Sequence, residues 1–478
     1  MGDKKHLVQL IDEKRALFTG LNDRIWDFAE IRFNLKQSAD ALCTVLEQEG
    51  FRIERGVAGM AHAFVATYGS GGPAIGILGE YDALAGMNQA AGVTEKKAPL
   101  PGGSGHGCGH AALGAGAVAA AVGIKDYMKE AKLAGTIKYF GCPAEESGSG
   151  KAYLARAGFF RGLDAILSWH PMMENQIMGI STLANYQIFF NFKGVSSHAS
   201  AAPEYGRSAL DAAELMSVGV NYLREHIIQD ARIHYAYTDV GGGAPNVVQA
   251  SSELLYFIRA PKNAQVEEIF KRVVDIARGA ALMTGTTMSY RWDSACANVI
   301  VNDTLSKALY ENLVWVGPNT YTAEELQFAQ TVVDGLDEST RKGIPAKLAR
   351  TFFNKSAEEI ARLAAKPIMD DIAPYFFTDK PIPASSDVGD ASWHAPTAQI
   401  ITACYPYGTV PHSWQVVACG KSSIVHKGLL QAGKAIALTA LELLENPRLI
   451  EDAKAEYAKR LGGETYTCPI PPDVEPEM

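Results

Sequence analysis

Apolar residues recur at helical spacing from the start of the chain. Leu7, Leu10, Ile11, Leu17 and Leu21 fall near one stripe, which predicts a helix over 6–30, and a second helix is predicted over 36–49. The period then shortens. Residues 61–68 (AHAFVATY) and 73–79 (PAIGILG) read as strands, and the second is apolar throughout, as expected of a sheet covered on both faces. Residues 110–130 predict a helix with small residues on most faces, hence closely packed neighbours. Strand 136–141 (TIKYFG), helix 150–158 and strand 164–169 (DAILSW) follow. Such alternation predicts an α/β fold.

Near residue 185 the pattern changes. Strand 186–193, helix 206–226, strands 231–239 and 252–259, helix 265–282 and a strand over about 286–294 follow in turn. The order β-α-β-β-α-β is that of a ferredoxin-like α+β unit. It reads as an inserted domain, 186–297, within a discontinuous domain made of 1–185 and 298–478, since an insertion is tolerated where its ends lie close together. Residues 318–382 are mostly charged and helical, with no clear chemistry. Strand 398–403 leads to a loop holding His412, and helix 423–445 is expected to close the domain. The tail, CPIPPDVEPEM, is Pro-rich and expected to be extended.

Length supports the two-domain reading, because 478 residues exceed one ordinary core. A composition of 47% apolar and 20% charged residues is that of a soluble globular protein. The net charge of −9 and the lack of a dense Lys/Arg run argue against nucleic acid as a partner. The opening MGDKKHLVQLIDEKRALF scatters its charges, so no signal peptide is expected, and the apolar stretch 110–124 is too short to span a membrane. Seven cysteines without paired spacing suggest a reducing compartment, with the cytoplasm as the expected location.

Candidate chemistry gathers where predicted strands end. Asp82, Glu145, Glu146 and His170 each follow such an end, the edge along which open α/β sheets place ligands. Residues 105–110 read GHGCGH, and the thiol of Cys108 with the imidazole of His110 favours zinc-like ions. A lone Cys-x-His step is more often a buried thiol beside a helix start; the other strand-end groups turn the reading toward a metal. Glu145 and Glu146 sit in CPAEES, where neighbouring side chains point apart. One carboxylate can then ligate a metal while the other faces a substrate; the plain alternative is an acidic surface loop. His412, in GTVPHSW, is weak by itself. His106 suits either a hydrogen bond to a ligand or a passive place in the glycine loop. His6, His62, His226 and His426 read as structural, and His198 belongs to the inserted domain.

Further stretches carry a resemblance: GEYDALAG, GHGCGHAALG, CPAEESGSGK, Trp169-His170, GRSALDAAELM, GGGAPNVVQA, IRAP, SSDVGDASW and IVHKG, spread over nearly the whole chain. Together they resemble the co-catalytic metallopeptidase family of aminoacylases, carboxypeptidase G and auxin-conjugate amidohydrolases, and within it the branch that cleaves p-aminobenzoyl-glutamate. The resemblance implies a zinc-exopeptidase-like α/β domain, a mixed sheet flanked by helices, with the inserted domain as lid and dimer contact. It implies two divalent metal ions, zinc with manganese as the alternative. Cys108 would bridge them in place of the usual aspartate, and His110, Glu146, His170 and His412 would complete the set. Glu145 would be the general base, taking a proton from water at the metals and returning it to the leaving nitrogen. His198 would reach the site of the partner protomer and stabilise the oxyanion. Asn246 and Arg259 would hold the substrate carboxylate, a task suited to a guanidinium fork; on their own they read as a turn residue and a strand-end charge.

The implied reaction is hydrolysis of an N-acyl or N-aroyl amino acid, with p-aminobenzoyl-glutamate as the leading substrate and auxin-conjugate or other N-acyl amino acid cleavage as the alternative. The implied assembly is a homodimer, or a mixed dimer with a related chain. A rival from another class is a non-catalytic subunit that needs such a partner chain. A thiol enzyme using Cys108 lacks a dedicated base and orienting acid in the sequence. Some positions depart from the family pattern. Glu80-Tyr81-Asp82 replaces a His-x-Asp whose His is a ligand, so that ligand is expected elsewhere, with Asp82 standing behind the ligand set. Ala111 replaces an aspartate that could orient a ligand, Glu204 replaces a second lid histidine, and 318–382 is longer than in short relatives.

Overall fold

The computed structural model describes residues 2–477. Its strands are β1 (Arg52–Arg55), β2 (Phe64–Ser70), β3 (Ala74–Glu80), β4 (Gly135–Cys142), β5 (Ala165–Met172), β6 (Gln176–Ile177), β7 (Gly179–Thr182), β8 (Ala184–Lys193), β9 (Arg232–Asp239), β10 (Ser251–Ala260), β11 (Thr287–Cys296), β12 (Phe377–Ile382) and β13 (Thr397–Ala403). The main sheet has the order β1-β2-β4-β3-β5-β13-β6. Its four middle strands, β4, β3, β5 and β13, run parallel, and β1, β2 and β6 pair antiparallel at the edges. The sheet is therefore mixed. Along β3, Ile75 and Ile77 enter the core on one face and Leu78 enters the core on the other. The unbroken apolar run is the sequence image of this two-sided burial.

On the first face lies the helix His110–Ala131, covered in turn by Lys4–Glu13, Arg15–Phe28 and Ser423–Glu445. Its small residues bring it close. A Cβ on Gly114 would stand 2.7 Å from the Glu80 carbonyl oxygen, so the first turns can lie directly over the end of β3 only with glycine there. The chain runs from β3 to β4 on one side, then places β5 on the other side of β3. A crevice opens where connections diverge in this way, outside the carboxyl ends of the parallel strands.

β8 to β11 form a separate antiparallel sheet in the order β11-β8-β10-β9. Ile188, Phe190 and Phe192 of β8, with Leu254, Tyr256 and Ile258 of β10, bury one face of it under the helices Ala209–Leu223 and Asn263–Thr284. The element order is the ferredoxin-like one.

Several local expectations need correction. The predicted helix 6–30 breaks at Lys14, whose ammonium pairs with Glu49 and Asp126, although both halves keep their apolar stripe inward. β1 escapes the sequence reading because all four of its residues are polar or only partly buried. β2 starts at Phe64, later than the apolar run suggests. His170 lies inside β5 rather than past its end, since β13 pairs with β5 through Met172. Residues 318–382 hold the helices Ala323–Asp334, Glu338–Thr351 and Ala357–Ala364, then β12 beside β7. Helix Ser423–Glu445 does not close the fold, because Pro447–Leu461 follows it. Beyond that helix the described residues form no regular element but are tied down: Tyr466 Oη donates to Asp390 at 2.8 Å, and Arg156 donates to the carbonyls of Pro471 and Val474. All seven cysteines are free, and among the described residues no helix is long and apolar enough to cross a membrane.

Candidate metal centre

Side chains from the ends of all four parallel strands meet in the crevice. Cys108 and His110 come from the start of the helix that follows β3, Glu145 and Glu146 from the loop after β4, His170 from β5 and His412 from the loop after β13. Cys108 Sγ lies 3.4 Å from His170 Nε2, and Glu146 Oε2 lies 3.3 Å from His412 Nε2. The donor atoms of Cys108, His110 and His170 all lie within 4.8 Å of one another, and so do those of Cys108, Glu146 and His412. Cys108 belongs to both groups. Two donors on one tetrahedral ion, with bonds of about 2.0–2.3 Å, stand roughly 3.3–3.6 Å apart.

The ring protons point the same way. His110 Nδ1 donates to Asp82 Oδ1 at 2.9 Å, which turns the Nε2 lone pair toward the centre. His170 Nδ1 donates to the Pro171 carbonyl at 3.0 Å, which turns its Nε2 toward Cys108. Asp82 Oδ2 also accepts the Glu146 backbone N–H at 3.0 Å, so one buried carboxylate orients both His110 and the Glu146 loop. His110 Nε2 and Glu146 Oε1 are buried and have no hydrogen-bond partner. Buried polar atoms are seldom left so. Two orphaned donors around a shared thiol, with two more imidazoles in reach, fit divalent cations, and the thiol and imidazoles suit zinc.

Local backbone makes this possible. Gly109, at φ 86°, separates the two donors of the Cys-x-His step, and a Cβ there would fall 2.0 Å from Tyr405 Oη. Ala144 and His412 take left-handed φ values of 58° and 61° without being glycine, at a cost of about 1–3 kcal/mol each. The His412 N–H donates to the Gly107 carbonyl at 2.8 Å and so ties the two loops together.

The two neighbouring carboxyls are tuned apart. Burial pushes the Glu145 carboxyl well up, and the Glu80 and Asp387 carboxylates add to this, against His110 and Lys151. Burial acts on Glu146 as well, but the hydrogen bond with His412 and the charge of His110 hold it down, at about 2. Glu145 is thus suited to carry a proton and Glu146 to remain charged. Burial pushes the Cys108 thiol up against the pull of His110. Its sulfur becomes a strong donor when a cation takes the proton's place. His106 is a neutral anchor: burial lowers it to about 3, and its Nε2 donates to the Ile25 carbonyl at 3.0 Å.

A second buried cluster touches the first, and the sequence reading assigns it no role. Lys151 Nζ pairs with Glu80 Oε1 at 2.7 Å and Asp387 Oδ1 at 2.5 Å, while the Lys151 backbone N–H donates to Asp387 Oδ2 at 2.9 Å. Glu80 Oε2 lies 3.3 Å from His110 Nε2. Glu80 is visible in the sequence as an acid at a strand end. Lys151 and Asp387, 236 residues apart, carry no such signal.

The remaining candidates lie elsewhere. His198 and Asn246 are exposed neighbours beside the second sheet: the Ala199 N–H donates to the Asn246 carbonyl at 2.9 Å, and His198 bridges to Val247. Among the described residues, neither belongs to the groups of possible ligands around Cys108, and the His198 ring accepts from the Ser200 and Ala201 N–H groups of its own loop. Arg259 stacks on the Phe257 ring and donates to Ser385 Oγ at 2.9 Å, with no carboxylate partner among the described residues.

Residues 76–314 match Peptidase family M20/M25/M40. The chain is 43% identical to a p-aminobenzoyl-glutamate hydrolase subunit of Escherichia coli, over 98% of this chain and 97% of that one. Among solved structures, it superposes on an aminobenzoyl-glutamate utilization protein from Klebsiella pneumoniae with a TM-score of 0.60 at 18% identity, covering 91% of this chain and 98% of that one. A Bacillus subtilis protein described as a dinuclear metal binding peptidase from the M20 family matches with a TM-score of 0.52 at 17% identity, covering 90% and 99%. These two structures share the fold.

Proposed function

The chain belongs to peptidase family M20/M25/M40, and from that premise we propose that it is a two-metal amidohydrolase of N-acyl and N-aroyl amino acids, with p-aminobenzoyl-glutamate as its leading substrate. Hydrolysis of amides follows from the family and from the E. coli relative. One observation carries the rest: a thiol, three imidazoles and a carboxylate converge beside a second carboxyl, Glu145, whose Oε2 lies 3.9 Å from His110 Nε2.

The two groups that share Cys108 would each hold one divalent cation, zinc or manganese. His110 and His170 would serve one, Glu146 and His412 the other. Bound, the cations would acidify a water molecule and polarise the amide carbonyl. Glu145 takes a proton from the attacking water and delivers it to the leaving nitrogen. Asp82 keeps the His110 lone pair aimed inward. His198, exposed on the inserted domain, would enter the site of a second copy and donate to the oxyanion. Asn246 beside it, and Arg259, whose guanidinium has no carboxylate partner among the described residues, would bind the substrate carboxylate. In this reading residues 186–297 act as lid and dimer contact, and 1–185 with 298–478 form the metal domain. Seven free cysteines support a reducing compartment, the cytoplasm.

The E. coli relative is named as one subunit of its hydrolase, which supports a second reading, in which this chain works in a mixed dimer with a related one. One experiment separates the two. The purified chain, loaded with zinc or manganese, is assayed on aroyl- and acyl-glutamate, -aspartate and neutral amino acid conjugates. Turnover by the chain alone, falling about 10²–10⁴-fold in Glu145→Gln while both metals stay bound, supports the enzyme. Turnover that requires an added related chain supports the mixed dimer. Activity that survives complete chelation refutes the metal mechanism.

A further inference from the structure

The Glu80–Lys151–Asp387 cluster is not used by the mechanism above, yet it faces the same centre. The carboxylate of Glu80 is divided in its contacts. Oε1 is engaged by Lys151 Nζ at 2.7 Å, and Oε2 stands 3.3 Å from His110 Nε2. The second contact is not a hydrogen bond. In the neutral ring the proton lies on Nδ1, toward Asp82, which leaves Nε2 as a lone pair, and Nε2 has no hydrogen-bond partner. A ring nitrogen and a carboxylate oxygen set face to face in a buried site repel unless a proton or a cation lies between them, and no hydrogen bond closes this contact. Their separation is that of two ligand atoms on one ion, about 3.3 Å for bonds of about 2.0–2.1 Å. The donor atoms of Glu80, His110 and Glu145 also lie within 4.8 Å of one another.

Lys151 makes this placement rigid. Asp387 holds it twice, by side chain and by backbone N–H, and all three groups are buried. With Oε1 so engaged, only Oε2 of Glu80 can reach the centre. Formal charge is consistent with a ligand role. The carboxylates of Glu80, Asp82, Glu146 and Asp387, with a Cys108 thiolate, balance Lys151 and two dications. Glu145 is then the one carboxyl whose charge is unmatched, as befits a group that gains and loses a proton. Unmatched buried charge is costly, so a balanced set is the favoured one.

We propose that Glu80 is a sixth protein ligand of the metal centre, binding through Oε2 the ion that His110 holds. The inference rests on the two-metal reading above. Its test is metal binding, independent of turnover: chelator competition with zinc, and the visible spectrum of the cobalt-substituted protein. In Glu80→Gln, Lys151 keeps the amide oxygen and an NH₂ group faces the ion. The variant is expected to bind one equivalent as the wild type does and the other at least tenfold more weakly, with a shifted cobalt spectrum. Glu80→Asp keeps the charge but withdraws the oxygen, and is expected to lose affinity at the same equivalent; should Glu80→Gln not fold, this variant decides. Wild-type affinities and an unchanged cobalt spectrum in the folded variants overturn the proposal and leave Glu80 as the counter-ion of Lys151. A wild type that takes up no metal overturns the two-metal reading itself.

Discussion

Asp82 is the group whose replacement tests the geometry most directly. It is buried, and its two oxygens accept from two different donors, His110 Nδ1 at 2.9 Å and the Glu146 backbone N–H at 3.0 Å. Asparagine has nearly the same shape but only one acceptor oxygen. If that oxygen stays on the Glu146 amide, an NH₂ group faces His110 Nδ1. The ring must then move its proton to Nε2, which removes the lone pair aimed at the centre. If the oxygen stays on His110, the buried Glu146 N–H is opposed by an NH₂ group and left unsatisfied. Either outcome costs about 1.5–3 kcal/mol, a charge-assisted hydrogen bond lost or a donor stranded. In the first arrangement, at about 1.4 kcal/mol per decade, this is a 10–100-fold weaker hold on the ion at His110, the range found when groups behind metal ligands are removed; in the second it appears as lost stability. Chelator competition on Asp82→Asn should therefore show one weakened equivalent, and urea unfolding of the metal-free variant should show a smaller stability. Both equivalents held within about twofold of wild type, together with an unchanged metal-free stability, would refute the orienting role, since each arrangement of the amide gives up one of the two bonds.

Two further outcomes are expected. Lys151→Met leaves the Glu80 and Asp387 carboxylates buried without their cation, so metal-free unfolding in urea should show a loss of about 3–5 kcal/mol; an unchanged midpoint would mean that water reaches the cluster. Asp390 titrates at about 8 in the folded chain, because burial, aided by Asp387, outweighs the hydrogen bond from Tyr466. The unfolded chain sheds that proton near pH 4, so between about pH 4 and pH 8 only the folded state holds it, and stability falls as pH rises through this window. Asp390→Asn should flatten that slope in denaturation curves taken at pH 5 and pH 8, and a slope equal to the wild type's would remove Asp390 as its source.

Much of the layout was legible in the chain because burial leaves a local imprint. The apolar run of β3, the small-residue helix that starts at His110 and the β-α-β-β-α-β order each reflect which faces are covered, and coverage sets residue type at a period of 2 or 3.6. That acids and histidines would gather at one edge was legible for a related reason: parallel strands put their carboxyl ends along one edge, so Asp82, Glu145, Glu146 and His170, at or near the ends of predicted strands, were already neighbours in principle. Other features left no such imprint. Whether His170 sits beyond β5 or within it depends on how far β13 pairs alongside. That Asp82 serves His110 and Glu146 together, that Lys151 joins Glu80 to Asp387, and that His198 lies against the Asn246 loop all depend on contacts between distant segments. The charge state of a buried carboxyl is set by the groups packed around it in space. A linear reading sees the residue types that can bind a cation or carry a proton; only the folded chain decides which oxygen faces which nitrogen, and therefore which of them does so.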